Sequence, residues 1–404
     1  MEFLNGVKLA GTVKELRRPE QELDFETTVG DRTFTRTYAF NKVHAVTTKG
    51  KRHELTPKAE QSADAETAAA TTANQRPQDE VQRIITAAGS NPPDWFETTQ
   101  LNYPKTLDLS WPLKPPTKGW HSQKNMGQYI WSVINENPAR WHSGIKLVHH
   151  CITLHKDDRS LLERDMQTLG SMYFTLLQDY PRAAFWYQKA NPSVKKIHGI
   201  RLAECYWRIG NRDMALDMMR GSPLPLGAIK LLGDMDEIDW AIRLTKAFSK
   251  SSANYQAFIL AGDALRQSGM PDEAIDYYQQ VLDSKKFRNK EYEQRFKARA
   301  RESIEAIRFF DKANVSQVAD GRYGDSSTGY AGQVRVQVTV AAGRMESVEV
   351  TEHKEKQFYS ALTDTTAQLL ARQSVQGIDA TSGATITSQA IVNATARALA
   401  KGAK

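Results

Sequence analysis

Apolar and polar residues alternate with the period of a β-strand through the first part of the chain. The alternation runs through residues 7–13, 23–27 and 33–38, and shorter runs follow at 43–47 and 53–55. Turn-forming residues separate the runs, so the pattern predicts five short strands joined by tight turns. Such a set of strands in a small segment is typical of an SH3-like or Sm-like β-barrel, which we predict for residues 1–57.

Residues 58–78 have the composition of a flexible linker. Ala, Thr, Gln, Glu and Asp dominate this segment, Pro57 and Pro77 lie at its ends, and it contains no aromatic residue. A segment of this kind cannot bury enough apolar surface to fold. We therefore predict that the N-terminal domain is tethered to the rest of the chain rather than packed into it.

The next segment, residues 79–120, is punctuated by prolines from Pro92 to Pro116. Because proline disfavours a helical neighbour before it and removes a backbone donor, the segment is predicted to be an extended arm rather than a helix. Its aromatic residues are Trp95, Phe96, Tyr103, Trp111 and Trp120. These side chains are costly to leave in water, so we expect the arm to pack on the domain that follows and to form one region with it, residues 79–315.

From residue 125 to 314 the apolar positions recur at helical spacing, and the later helices show a degenerate repeat. Small residues begin the second helix of each predicted pair, namely Ala183, Ala215, Ala241 and Ala274, at spacings of 32, 26 and 33 residues. The pattern resembles the tetratricopeptide repeat, in which small and aromatic positions let paired helices pack closely. The resemblance implies an all-α domain whose concave face holds a peptide or another domain, although a role as a structural spacer stays open.

At Asp320 the period changes from that of a helix to that of a strand. Residues 333–340 alternate strictly, a hairpin turn follows, and residues 345–353 pair back; an amphipathic helix over 358–373 and a last helix from about Ser388 to Lys401 complete the pattern. We predict a C-terminal α+β domain over residues 316–404. The whole chain is therefore predicted to be a multidomain α+β protein.

A stretch of small and hydroxyl-bearing residues, 379–388, leads into the last predicted helix. A turn of small residues before a helix suits a phosphate group, because free backbone N–H groups and the helix dipole both point at it. The same composition is also common where a helix is simply capped, so physical chemistry alone leaves both interpretations open.

Three motifs in this domain occur in a recognisable order. Asp320-Gly-x-Tyr-x-Gly comes first, Gly329-Tyr330-x-Gly follows, and Asp379-x-x-Ser382-Gly383-Ala384-Thr385 comes after the hairpin and helix. The order resembles the FMN-binding domain of the flavin-carrying subunits of sodium-pumping quinone reductases and Rnf-type complexes, over about residues 320–404. The resemblance implies an FMN joined through its phosphate to the Thr385 hydroxyl, as a phosphoester installed by a flavin transferase.

The residues around Thr385 have roles that follow from their chemistry and from the motif. Gly383 has no Cβ and lets the backbone approach a phosphate, and Ala384 precedes the attachment point. The hydroxyls of Ser382 and Thr387, like that of Ser388, could bond phosphate oxygens. Ordinary capping is the alternative for these three hydroxyls.

Two further residues are candidates on weaker grounds. The resemblance gives Asp379 a part in recognition by the transferase or in fixing the turn, and the sequence near it offers no positively charged partner. Tyr330 is a candidate wall for the flavin ring, although core packing would explain it equally well. Residues 352–357 depart from the glutamate and threonine that members of the family often carry after the hairpin, which puts the ring contacts in question more than the attachment point.

Composition excludes several classes of function. The net charge of +7 arises from 54 Lys and Arg against 47 Asp and Glu and is spread along the chain without a block of five like charges, so no nucleic-acid footprint is present. The two cysteines are too few for a disulfide framework. Cys151 and His155 share a helix face, but two ligands without a second cluster do not make a metal site, and we predict none. No run of 18 apolar residues is present to span a membrane.

The resemblances to the FMN-binding domain and to the tetratricopeptide repeat imply a flavoprotein that carries electrons between protein partners through FMN at Thr385, with the helical repeats as the docking scaffold for a redox partner. It would associate with a membrane only through such a partner. The alternative is a non-redox scaffold or adaptor with a degenerate or sensory flavin domain. By analogy with related domains, the location is extracytoplasmic, in the periplasm or cell envelope, if a leader has been removed, and cytoplasmic otherwise.

Overall fold

The computed structural model describes residues 2–3, 11–17, 22–29, 32–40, 43–48, 51–55, 75–112, 121–356, 359–381 and 383–403. The chain divides into two compact units, Met1–Asn74 and Gln75–Lys404. The second unit thus begins inside the segment predicted as a linker, most of which lies outside the described residues.

The first unit consists of short strands in two small antiparallel sheets. The strands are β1 (Glu2–Phe3), β2 (Thr12–Arg17), β3 (Glu22–Val29), β4 (Arg32–Ala39), β5 (Val43–Thr48) and β6 (Lys51–Glu54). β5 lies between β1 and β6, and β3 lies between β2 and β4. Leu23 and Phe25 alternate with half-buried neighbours and form a core with Phe40, Val43 and Val46. Small sheets are therefore present as expected, and closure into an SH3-like or Sm-like barrel stays a prediction.

The second unit begins with a helical region. Its α-helices are α1 (Gln78–Ser90), α2 (Trp95–Thr98), α3 (Met126–Tyr129), α4 (Trp141–Leu154), α5 (Arg159–Met172), α6 (Tyr180–Ala190), α7 (Ile197–Ile209), α8 (Arg212–Met219), α9 (Ala228–Asp234), α10 (Ile238–Phe248), α11 (Asn254–Gln267), α12 (Pro271–Asp283) and α13 (Lys290–Arg308). Turns of π-helix extend α3 over Ile130–Ile134 and α5 over Tyr173–Leu177, and 3-10 turns lie at Pro138–Arg140 and Val315–Gln317. Side chains of Asn125, Asp158, Asp179, Asn211 and Asn289 accept N–H groups at helix starts, which explains where five of these helices begin.

The first part of the predicted extended arm is a helix, which corrects the sequence-based expectation. Val81 and Ile85 lie one turn apart on α1 and are fully buried, and the helix packs against α6. The prolines that suggested an extended chain begin only at Pro92, after the helix has ended. Beyond them the arm does lie on the helices: Trp111 is buried and its Nε1 donates to Asp165 at 2.6 Å.

The repeat seen in the sequence corresponds to close packing between paired helices. Ala183, Ala215, Ala241 and Ala274 are all fully buried. Gly170 of α5 lies against the ring of Tyr187, and Gly262 of α11 lies against the ring of Tyr278. A Cβ on either glycine would come within 2.6 Å of the facing ring, so any other residue would force the two helices apart.

The C-terminal part of this unit is a three-stranded antiparallel sheet with two helices. The strands are β7 (Gly321–Thr328), β8 (Gln333–Ala341) and β9 (Arg344–Glu352), with β8 in the centre, and the helices are α14 (Ser360–Arg372) and α15 (Thr385–Ala400). Val334, Val336, Val338 and Val340 are buried on one face of β8, as the strict alternation predicts. α15 begins at Thr385 instead of near Ser388, one turn earlier than the sequence suggested.

The sheet and helices of this C-terminal part are joined to the helical region by hydrogen bonds between buried and half-buried groups. α15 packs on β7 and β8 with one face and on α13 with the other. Glu302 of α13 accepts from Ser327 Oγ, and from the backbone N and Oγ1 of Thr328. Arg266 of α11 donates to Asn393 of α15 at 2.6 Å. The helical region and the C-terminal sheet therefore form one folded unit.

Candidate functional site

The turn between α14 and α15 is held by hydrogen bonds from both helices. Gln368 of α14 accepts from the backbone N of Asp379 at 3.0 Å and donates to its carbonyl at 2.9 Å. The Thr381 hydroxyl donates to Asp364 at 2.6 Å, while the Thr381 backbone N donates to Ser388 Oγ of α15 at 3.0 Å. The backbone that leads into α15 is therefore fixed by groups on either side of it.

Gly383 and Ala384 turn the chain into the first turn of α15. Gly383 has φ +75°, in the left-handed region that favours glycine, and Ala384 occupies the N-cap position. Ala384 has no side-chain oxygen to bond the first N–H groups of the helix. Thr385 is the first helical residue and is half-buried. The predicted partner Ser382 lies outside the described residues.

The hydroxyls of Thr387 and Ser388 lie in different surroundings. Ser388 is fully buried and its Oγ accepts from the backbone N of Thr381, so this hydroxyl holds the turn before α15 and is not among the residues that line the cleft. Thr387 is also buried, but it lies among the residues that line a cleft next to Thr385. The structure thus separates a structural hydroxyl from one that borders a cavity.

Thr385 borders an open cleft of about 260 Å³ between the start of α15 and the helical region. The C-terminal side contributes Tyr330, Gly383, Ala384, Thr385, Ile386 and Thr387. The helical side contributes Phe174, Ile197, Ile200, Arg201, Glu204, Gly227, Lys230, Leu231 and Leu260. Most of this lining is apolar, with a few charged groups on one side, as is usual for a small-molecule site. The helical wall of this cleft was not foreseen from the sequence.

The orientation of Tyr330 depends on a residue that the sequence did not single out. Glu355 is buried, and its Oε1 accepts from the backbone N of Tyr330 at 2.8 Å and of Ala331 at 3.2 Å. Burial raises the pKa of Glu355 above its ordinary value, and these two N–H donors oppose the rise. The Arg295 guanidinium lies 5.3 Å from the centre of the Tyr330 ring. Glu355 and Arg295 therefore place this aromatic side chain at the edge of the cleft.

Asp379 does have positively charged partners, contrary to what the local sequence suggested. Arg208 of α7 donates to its carboxylate at 2.5 Å, and Nζ of Lys230 in α9 lies 3.9 Å away. Glu204 lies 3.6 Å from Arg208, and Asp234 pairs with Lys230. These five residues form a charge cluster between the helical region and the turn before Thr385.

The charge cluster changes the proton affinities of its members. Arg208 and Lys230 lose hydration on burial, but the nearby carboxylates hold the pKa of each above its ordinary value. Burial raises the pKa of Asp234, while Lys230 opposes this rise. Both cations therefore stay protonated at neutral pH. Their attraction to the Asp379 carboxylate holds that end of the turn in place.

The histidine and cysteine positions near α4 have structural roles. Nδ1 of His155 lies 2.7 Å from Asp165, whose other oxygen accepts from Trp111. Burial raises the pKa of Cys151 to about 12, so its thiol remains protonated. Within the residues that the coordinates describe, no group of three or more His, Cys, Asp and Glu side chains is placed to hold a metal ion. In the same residues, no helix is long and apolar enough to cross a membrane.

Comparison with known families agrees with this geometry. The profile of a family described as FMN-binding domain matches residues 329–400, and that of the tetratricopeptide repeat matches residues 257–290. The first match contains Tyr330, Glu355 and the whole turn before Thr385. The chain therefore carries an FMN-binding domain at its C-terminal end and a tetratricopeptide repeat in its helical region.

The similarity to a curated relative is limited to a short segment. An uncharacterized protein of Treponema pallidum (strain Nichols) is 33% identical over 90 residues, which make up 22% of this chain and 25% of the relative. The match thus spans about a quarter of the length of that relative. No solved structure matches the chain.

The residues around the cleft fit an FMN. A phosphate needs N–H donors and space near the backbone, and the start of α15 offers both, because Ala384 supplies no side-chain cap and Gly383 has no Cβ. A flavin ring needs an apolar wall, which Phe174 and Leu231 provide, with Tyr330 at the edge.

Proposed function

We propose that this protein carries electrons between protein partners through an FMN attached to Thr385 by a phosphoester. The observation that supports the proposal most directly is the position of Thr385. It lies within an FMN-binding domain, at a helix start, and on the lining of a largely apolar cleft. A hydroxyl in this position can join the phosphate while the ring occupies the cleft.

The attachment requires an activated flavin phosphate, because forming a phosphoester from FMN itself would require the loss of water. In the proposed reaction the Thr385 oxygen bonds to the flavin-side phosphorus of a flavin adenine dinucleotide. The phosphoanhydride bond breaks, AMP leaves with its electron pair, and the threonine proton is released. A flavin transferase that recognises the turn from Asp379 to Thr385 is the partner that the proposal requires.

The residues of the chain would hold and shield the cofactor. N–H groups at the start of α15 stabilise the phosphate charge, and Gly383 leaves room for it. Phe174, Leu231 and Leu260 exclude water from the ring, which when bound supplies transfer of one or two electrons. The sequence contains no G-x-G-x-x-G fingerprint for a nicotinamide cofactor, which favours a relay over a self-contained dehydrogenase.

The tetratricopeptide-like helices provide the surface on which a redox partner would dock, since such stacks commonly bind peptides or domains. Under this proposal a link to a membrane arises only through that partner. We further propose that the protein is extracytoplasmic, in the periplasm or cell envelope, if a leader has been removed, and cytoplasmic otherwise.

Co-expression of the full chain with a flavin transferase tests the proposal. We expect a yellow protein whose mass has increased by one FMN less one water. Thr385→Ala should abolish the increase, whereas Thr363→Ala, which removes an exposed hydroxyl of α14, should retain it. If the wild type stays unmodified and binds no added FMN, the redox proposal fails, and a non-redox scaffold is the function left. Tight binding of FMN without a mass increase would overturn the attachment alone.

A further inference from the structure

Arg201 is a cation of the helical region that faces the cleft next to Thr385. It lies on α7, is half-buried, and lines the cleft opposite the start of α15. Its Nη1 donates to Ser171 Oγ at 3.1 Å, and its guanidinium lies 5.5 Å from the centre of the Phe174 ring. Ser171 Oγ is in turn bonded to the Tyr187 hydroxyl at 3.1 Å. The guanidinium is therefore held in position by neutral groups.

The other charged residues on the cleft lining have partners of opposite charge. Lys230 pairs with Asp234 and approaches Asp379, and Glu204 lies 3.6 Å from Arg208. Among the described residues, Arg201 forms no ion pair with a carboxylate, and its side-chain hydrogen bond goes to the Ser171 hydroxyl. A half-buried guanidinium whose hydrogen-bond and ring contacts are neutral is partly dehydrated without a paired counter-ion, so an anion in the cleft would be favourable there.

We propose that the helical region supplies half of the flavin site and that Arg201 is the positive charge facing the flavin ring. This inference rests on the proposed function. The phosphate end is served by the start of α15, while Arg201 lies among the apolar residues Phe174 and Ile200 that suit the ring. A bound ring that takes up two electrons from the redox partner and one proton from water would carry one negative charge. Arg201 stabilises this charge and thereby raises the reduction potential.

The test measures the midpoint potential of the full flavinylated chain, titrated with dithionite against a reference dye. Arg201→Gln should weaken the stabilisation of reduced relative to oxidised flavin by roughly tenfold, as expected for the loss of one charge-assisted hydrogen bond. For two electrons that lowers the midpoint potential by about 30 mV. Arg201→Lys keeps the charge and should retain most of the wild-type potential.

Arg243→Gln is the matched control, because Arg243 is exposed on α10 and does not line the cleft. Its potential should equal that of the wild type. Arg201→Met provides a second neutral variant if Arg201→Gln does not fold. A neutral variant at Arg201 that carries flavin by mass and has the wild-type potential overturns this inference and leaves the proposed function intact. A wild type that carries no flavin overturns the proposed function itself, and this inference with it.

Discussion

Arg208 of α7 donates a hydrogen bond of 2.5 Å to Asp379, a residue 171 positions later in the chain. Asp379 is the first residue of the motif that ends in Thr385. Through this hydrogen bond it also connects the turn to the tetratricopeptide-like helices. Both side chains are about one-fifth exposed, which leaves the pair only partly screened by water. The position of the turn therefore depends on the helical region as well as on its own sequence.

Removing this ion pair should destabilise the unit formed by residues 75–404. We expect Arg208→Ala and Asp379→Ala each to lower the free energy of unfolding by about 1–3 kcal/mol, because each leaves a poorly hydrated charge with a weaker partner. The double variant should lose less than the sum, with a coupling energy of about 1 kcal/mol. Urea denaturation of the wild type, the two single variants and the double variant measures this coupling energy.

Arg220 and Asp217 provide the control for this cycle. They also form an ion pair, but their side chains are 64% and 65% exposed. Because this ion pair is exposed to solvent, it should show a coupling energy of less than about 0.5 kcal/mol. Equal coupling energies for the two pairs would contradict a special role for the Arg208–Asp379 contact.

Gly383→Ala should destabilise the turn for two separable reasons. Its φ of +75° is unfavourable for alanine, and a Cβ would come within 3.2 Å of Thr175 Cγ2 in the helical region. Gly269 has the same φ of +75° but has no atom within 4 Å of a built Cβ. Gly269→Ala should therefore cost only the backbone strain, about 1 kcal/mol, and Gly383→Ala should cost a few tenths of a kcal/mol more.

Chemical denaturation of both alanine variants checks this ordering. Adding Thr175→Ser to Gly383→Ala removes the contacting methyl group. The loss in free energy of unfolding should then fall to that of Gly269→Ala. A larger loss for Gly269→Ala than for Gly383→Ala would mean that the close approach of the helical region to the turn is absent in solution.

The buried carboxyl group of Glu355 should make stability depend on pH. Burial raises its pKa above the ordinary value of 4.5, so the folded protein binds more protons than the unfolded chain in the window above 4.5. The contribution of Glu355 to the free energy of unfolding therefore falls as pH rises through that window, by about 1.4 kcal/mol for each unit of pKa difference. Glu355→Gln removes this dependence while keeping an oxygen for the two N–H donors.

Thermal unfolding of the wild type and Glu355→Gln between pH 4 and pH 8 provides the measurement. The difference in Tm, variant minus wild type, should grow as the pH rises above 4.5. Glu349→Gln, at an exposed position of β9, serves as the control and should show a constant difference. A constant difference for Glu355→Gln as well would mean that its carboxyl group titrates normally.

The elements that the sequence revealed are those whose pattern arises from local contacts with one buried face. The four valines of β8 alternate because a strand directs every second side chain to the core, and the small residues of the repeats recur because paired helices approach there. The motif from Asp379 to Thr385 was visible for a similar reason, since it lies within seven consecutive residues. Helix α1 was not predicted because only Val81 and Ile85 mark its buried face, while the prolines that begin at Pro92 dominate the pattern of the arm.

The part of the cleft lining that comes from the helical region could not be predicted from the sequence. Arg208 and Lys230 approach Asp379, and Arg201 approaches the start of α15, only because α7 and α9 pack beside a turn that follows much later in the chain. Glu355 lies within residues 352–357, which depart from the family pattern, but the sequence does not show that its carboxylate accepts from Tyr330 and Ala331, because that depends on how the hairpin folds back. Such contacts depend on tertiary packing, which the spacing of apolar and polar residues along the chain does not reveal.

α15 packs against β7 and β8 on one side and against α13 on the other, so the helix that begins at Thr385 cannot shift as a body without repacking both. A cofactor attached to Thr385 would then stay beside the cleft, unlike one carried on a mobile arm between distant sites. Electron exchange would require the donor and the acceptor each to come to the rim of the cleft, where Ile197 is 45% exposed. We expect the rate of exchange to be limited by these encounters, and the small rearrangement of a rigid site to favour fast transfer once a partner has bound.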